Sequence, residues 1–258
     1  MHLFAVTSAV VGMLFVGVLI CIEVGRRIGK RRQEQGQDPS KAGTGAVDAA
    51  IFGLLGLLIA FTFSGAASRF DSRRMQIVSE ANAIGTAYLR VDLLPAESQP
   101  EIRNVFRSYT DARLDVYRAI PDLEKAHAHL ARAGVEQEKL WKLGVAACAK
   151  APSPAVTSLV VPALNEMFDV ANMRTAAADL HVPWIVMVML FVIAMGCALL
   201  AGFDMSAANG RSLMHYLGFA VLIAFAVFVI LDMEYPRLGL IRLDSFDRYM
   251  EEARAAMK

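Results

Sequence analysis

The sequence predicts an all-α integral membrane protein with four transmembrane helices and a helical-bundle soluble domain inserted between the second and third. Three observations predict it. Apolar residues make up 56% of the 258-residue chain, and they collect in four runs of about 20 residues bounded by charges. A long segment between the second and third runs repeats its apolar residues at three and four positions. No segment alternates apolar and polar residues with β-branched enrichment, as a half-buried strand would.

The first span covers Leu3–Ile22 within residues 1–25 and ends at Glu23. A cleaved signal peptide carries its positive charge ahead of the apolar run. Here the cluster Arg26, Arg27, Lys30, Arg31 and Arg32 follows it, so the helix is read as retained. Residues 26–48 form a basic loop that also holds Lys41, with a mobile stretch expected over Gln33–Gly45 around Pro39. An excess of Lys and Arg marks the cytoplasmic side, which would put this loop inside and both termini and the soluble domain outside. The arginines flanking the spans on the other side nearly balance that count.

The second span is 49–68. No proline occurs between Pro39 and Pro95, so its helix is expected to continue as a stalk to about Asp92, with Gly85 its one weak point. Ile77, Ala81, Ile84, Tyr88 and Val91 give the stalk an apolar face. Within the soluble domain, 69–181, a helix over 101–120 carries Ile102, Val105, Phe106, Tyr109, Val116 and Ile120 and stops at Pro121. A weakly amphipathic region over 123–150 is interrupted at Gly134. A helix over 155–180 carries Val160, Ala163, Met167 and Val170, with Pro162 in its first turns. The domain holds 14 basic and 14 acidic residues, a balanced and solvated surface. The third span is 182–203, a short loop covers 204–211, the fourth span is 212–231, and an amphipathic tail covers 232–258.

A net charge of +1 gives no basis for nucleic-acid binding. Of three cysteines, Cys21 and Cys197 lie in spans and Cys148 stands alone in the soluble region, so neither a disulfide nor a metal-ligand spacing emerges. Glu124 and His127 make a single Glu-x-x-His, where di-iron chemistry needs two and further carboxylates. His215 lies about one turn inside the fourth span. No phosphate loop, dinucleotide fingerprint or nucleophile arrangement is present. The chain reads as no enzyme, with no cofactor.

The second span is the informative one. At 100° per residue, Gly53, Gly56, Ala60, Ser64 and Ala67 fall within about 80° of one another. Phe52, Ile59, Phe63 and Phe70 form an adjacent stripe, and Ile51, Leu54, Leu55 and Leu58 lie opposite. Small residues permit close helix approach, so the stripe is a packing seam in one reading. In the other, several copies surround an axis and these side chains line a narrow pore. Arg69, Arg73 and Arg74 just beyond the span would then form a positive ring at the mouth, which favours anions. The alternative for them is headgroup anchoring or pairing with Asp71, Asp232 and Glu234.

The run from Phe61 to Arg74 (FTFSGAASRFDSRR), the run from Glu80 to Arg90 (EANAIGTAYLR), Asp92–Pro95 and the segment Leu231–Ile241 resemble the bacterial bestrophin-like domain family. The family name rests on a likeness to bestrophins, pentameric anion channels whose second helix lines the pore and forms an aromatic neck. The resemblance implies a homo-oligomeric channel of the inner membrane passing small anions such as chloride. Phe52, Gly56, Ile59, Ala60, Phe63, Ser64, Ala67 and Phe70 would line the pore, and Phe63 or Phe61 would be its neck. Arg69, Arg73, Arg74, Asp232 and Glu234 would stand at the mouth. The acidic Ca²⁺ clasp of true bestrophins has no match. Bestrophins keep their soluble domain in the cytoplasm, opposite to the charge-based orientation. The motif residues Glu80, Asn82, Gly85, Thr86, Tyr88 and Arg90 have no obvious shared purpose, although Asn82 and Thr86 share a helix face. The alternative function is a non-conducting sensor or scaffold whose helical domain binds a ligand or partner protein.

Overall fold

The computed structural model describes residues 2–35, 45–207 and 213–258. Part of the expected basic loop, residues 36–44 with Lys41, lies outside the described residues, as do 208–212 between the last two spans, whereas its basic run Arg26–Arg32 is helical and continues the first span. Eight α-helices are described: α1 His2–Glu34, α2 Gly45–Leu89, α3 Gln99–Arg118, α4 Leu123–Ala149, α5 Pro154–Asp179, α6 Trp184–Asp204, α7 Leu213–Glu234 and α8 Asp247–Ala255. No strand occurs among the described residues. Four helices, α1, α2, α6 and α7, are long and apolar enough to cross a membrane.

The chain divides into two compact units. The first holds residues 1–69 and 181–235. Its core joins Leu14, Val18 and Ile22 of α1, Leu55 of α2, Leu190, Ala194 and Cys197 of α6, and Tyr216, Ala220 and Val227 of α7. Leu55, on the aliphatic side of α2, is thus turned inward rather than toward lipid. The α1–α6 contact is the closest in the unit, and small residues at every fourth position permit it. Gly17, Cys21, Gly25 and Gly29 lie on α1, and Ala194, Ala198 and Gly202 on α6, with Ser206 in the 3₁₀ turn that follows it. A Cβ on Gly25 would stand 1.9 Å from the Leu199 carbonyl oxygen, and one on Gly202 1.9 Å from that of Ile22. Glycine is required at both positions because backbone meets backbone.

The second unit holds residues 70–180 and 236–258. The expected apolar faces are buried: Ile77, Ala81, Ile84, Tyr88 and Val91 meet Ile102, Phe106 and Tyr109 of α3, Leu140 of α4 and Leu164, Met167 and Phe168 of α5. Asp122 caps α4 by accepting from the Lys125 amide at 3.1 Å, and Ser153 caps α5 by accepting from the Ala155 amide at 3.3 Å. Two details differ from the sequence reading. Helix α4 runs through Gly134 without a break, because Ala133 and Leu140 hold that stretch in the core. The C-terminal segment is no separate tail. Leu243, Met250 and Met257 are buried in this core, and α8 lies along α3.

Candidate functional site

Helix α2 places most of the residues singled out by sequence, and each unit treats its face differently. In the first unit, Gly53, Gly56, Ala60, Phe63 and Ser64 are exposed. Ile59, Ala67 and Phe52 are partly covered. Phe52 packs edge-on against Phe219 of α7 with centroids 6.2 Å apart, and Ile59 lies against the same core. Phe61 and Phe63 stand out at 67% and 45% exposure. Thr62 is buried, and its hydroxyl is satisfied inside the helix by donating to the Leu58 carbonyl at 2.8 Å. The chain's own packing therefore leaves a small and weakly polar line along α2, continued by Ser68, with two phenylalanines beside it.

Charge at the end of this unit is matched. Arg69 donates from Nε and Nη2 to Glu234 Oε1 at 2.9 and 2.6 Å. The other Glu234 oxygen meets His181 Nδ1 at 3.4 Å and the Val182 amide at 3.3 Å. His181 stacks on Tyr235, centroids 4.7 Å apart. Asp232 is buried beside Glu234 in sequence. A carboxylate this buried is tolerated because a guanidinium and an amide meet it.

In the second unit, Arg73 closes the C-terminus of α5, donating to the Ala177 and Leu180 carbonyls at 3.2 and 2.7 Å. Arg74 pairs with Asp71 at 2.8 Å and lies over the rings of Phe70 and Phe246. Phe70 is packed against the core of this unit. Each of the three arginines thus has its own local partner.

The motif residues separate into two groups. Asn82 and Thr86 are exposed on the outer face of α2 with Ser79 between core turns. Glu80 and Tyr88 face inward, and Arg90 is half-buried at the edge of the core. Tyr88 donates to the Lys258 carbonyl at 2.7 Å, and Arg90 donates to the Leu159 carbonyl. Glu80 is fully buried and binds two arginines: Arg113 Nε at 2.5 Å and Arg174 Nη1 at 2.7 Å. Arg174 reaches on to Asp247 at 3.5 Å, and Asp247 takes Arg237 at 2.7 and 2.8 Å. The Tyr117 ring is stacked by Arg174 at 3.6 Å and Arg237 at 4.9 Å. Burial pushes the Glu80 carboxyl up, but the fields of Arg113 and then Arg174, with their hydrogen bonds, outweigh it and hold it below the ordinary carboxylate value.

The sequence alone gives no role to Arg113, Tyr117 and Asp247, and Arg174 and Arg237 enter it only as charges flanking the spans. One signal was available. Arg113 continues the α3 stripe Ile102, Phe106, Tyr109 at four-residue spacing, and Arg174 continues the α5 stripe Met167, Ala171. A charge at a core position demands a buried partner. The isolated Glu124 and His127 are exposed on α4, and no group of three metal-ligating side chains occurs among the described residues.

This fold has close counterparts among solved structures. A variant of a bacterial bestrophin homolog from Klebsiella pneumoniae superimposes with a TM-score of 0.68 at 16% identity, covering 97% of each chain. A second variant of it gives 0.66 at 15% identity, over 96% of this chain and 98% of that one. A structure described as a membrane protein gives 0.65 at 17% identity over 96% of each. No curated protein sequence matches the chain. The bestrophin-like domain profile matches residues 12–245, almost the whole length, and with the shared fold it assigns the chain to the bestrophin-like family.

Proposed function

We propose that the protein is a homo-oligomeric ion channel, selective for anions such as chloride, with the exposed face of α2 lining its pore. The observation that carries this reading is the uncovered line Gly53, Gly56, Ala60, Ser64 and Ser68. Lipid-facing surfaces are met well by large aliphatic side chains, and α2 presents one of those off this line in Leu54, while Leu57 falls within it between Ser64 and Ser68. Small and hydroxyl-bearing residues are better suited to a narrow aqueous path or to another copy of the same helix. Phe63 and Phe61, exposed next to this line, suit an apolar constriction that gates by dewetting. Family membership supports the same assignment, and a pentamer follows from the likeness to bestrophins. Arg69, Arg73 and Arg74 act in this reading through the field that their local partners leave over, since none stands as a bare charge.

The test is current across a planar bilayer holding purified, reconstituted protein under a KCl gradient. Reversal near the chloride equilibrium potential is expected. Reversal near that of potassium overturns the anion assignment. Silence from folded, inserted protein overturns the channel and leaves the sensor or scaffold. Native mass measurement gives the copy number, five being expected.

A further inference from the structure

We propose that the C-terminal part of α1 is a binding site for the headgroup of an anionic phospholipid whose acyl chain lies along the same helix. Met13, Val16, Ile20 and Val24 are exposed at 74, 53, 57 and 41%. Met13 and Ile20 fall within about 40° of Arg27 and Arg31 on the helix surface. An outward apolar line therefore passes directly into an outward cationic one, with Lys30 beside it. Bilayer lipid has that same order of chemistry, hydrocarbon and then phosphate.

The cations here exceed the acids available to them. Glu23 is shared by Arg26 and Arg27, at 3.1 and 2.9 Å, so one carboxylate faces two guanidiniums. The Arg27 side chain remains 72% exposed. Lys30 and Arg31 are exposed, and neither makes an ion pair among the described residues. Arg32 lies over the Phe203 ring at 5.7 Å, a contact that brings no negative charge. The negative end of the helix dipole accounts for cations in the last turn, Arg31 and Arg32, but acts only weakly on Arg27 and Lys30.

The α1–α6 contact holds this surface in place. With Gly25 and Gly29 pressed against α6, α1 cannot roll, and Arg27 and Arg31 stay outward. A soluble anion needs no apolar line beside its site. Clusters of basic residues at the end of a span bind acidic lipid by this arithmetic.

The test uses the full chain in detergent and counts bound lipid by native mass spectrometry, with phosphatidylglycerol, phosphatidylcholine and inorganic phosphate as probes. The wild type is expected to prefer phosphatidylglycerol. Arg27→Gln with Arg31→Gln is expected to lower that preference roughly fivefold per cation removed while leaving the melting temperature unchanged. A preference that survives the double substitution overturns the proposal. So does inorganic phosphate that displaces the lipid at millimolar concentration, which makes the site one for free anions. A changed oligomeric mass at constant lipid preference assigns the face to protein contact instead and also overturns it. None of these readouts depends on conductance, so they stand apart from the channel test.

Discussion

Replacing Glu80 with Gln keeps the shape of a fully buried side chain and removes its charge. Glu80 takes one guanidinium on each oxygen, at 2.5 and 2.7 Å. Glutamine offers one neutral acceptor and turns an amide toward a cation. Arg113 retains the Thr175 hydroxyl and the Ala171 carbonyl, and Arg174 retains Asp247 at the longer distance of 3.5 Å. Breaking a buried ion pair by removing one partner costs about 3–5 kcal/mol. For a chain of this size each kcal/mol moves Tm by about 2–4 °C, so a fall of about 10 °C is expected. The assay is a thermal melt of detergent-solubilised protein followed by circular dichroism. The same carboxyl predicts an acid limb. Its value in the folded protein is lowered from 4.5, so its contribution is complete above pH 4.5 and is lost as pH falls through the lower folded value. The wild type should therefore lose Tm below about pH 4.5, and the Gln variant should show a shallower acid limb. An E80Q melt within a degree or two of wild type at pH 7 would refute the claim that this network holds the second unit together.

Gly25→Ala puts a Cβ against the Leu199 carbonyl and forces α1 from α6, at an expected cost of about 1–3 kcal/mol read as a lower Tm and a broadened size-exclusion peak. Gly12→Ala, on the same helix, meets nothing within 4 Å and is the matched control, expected not to lower Tm. Asp247→Asn removes the charge that both Arg237 and Arg174 meet, leaving Arg237 only Asp244 at 3.4 Å, so trypsin should cut after Arg248 and Arg254 sooner than in wild type, as read by mass spectrometry. Phe63→Ala removes an exposed ring beside the small-residue line, and single-channel conductance should rise, whereas unchanged conductance would place the constriction elsewhere.

Several features were legible because they depend on local composition and period. Twenty uncharged residues cross a bilayer whatever surrounds them, and the run from Gly45 to Leu89 is helical throughout because nothing in it breaks a helix. The buried stripe Ile77, Ala81, Ile84, Tyr88 follows from the 3.6-residue turn. The runs around Arg69 and Glu80 were enough to suggest the family. The C-terminal segment reads as an amphipathic tail in sequence, since Leu243, Met250 and Met257 recur at seven-residue spacing and nothing in the segment itself says what covers them. Only a core supplied by helices more than a hundred residues earlier gives them somewhere to go. Glu80 makes the same point in one residue. Its neighbours on α2 offer no partner, so its role was illegible from the helix alone. Its partners come from α3 and α5, 33 and 94 residues away, and charges pair by distance in space rather than along the chain. Period and composition determined which faces are apolar, while the tertiary structure decided which charges meet beneath them and which face of α2 stays uncovered.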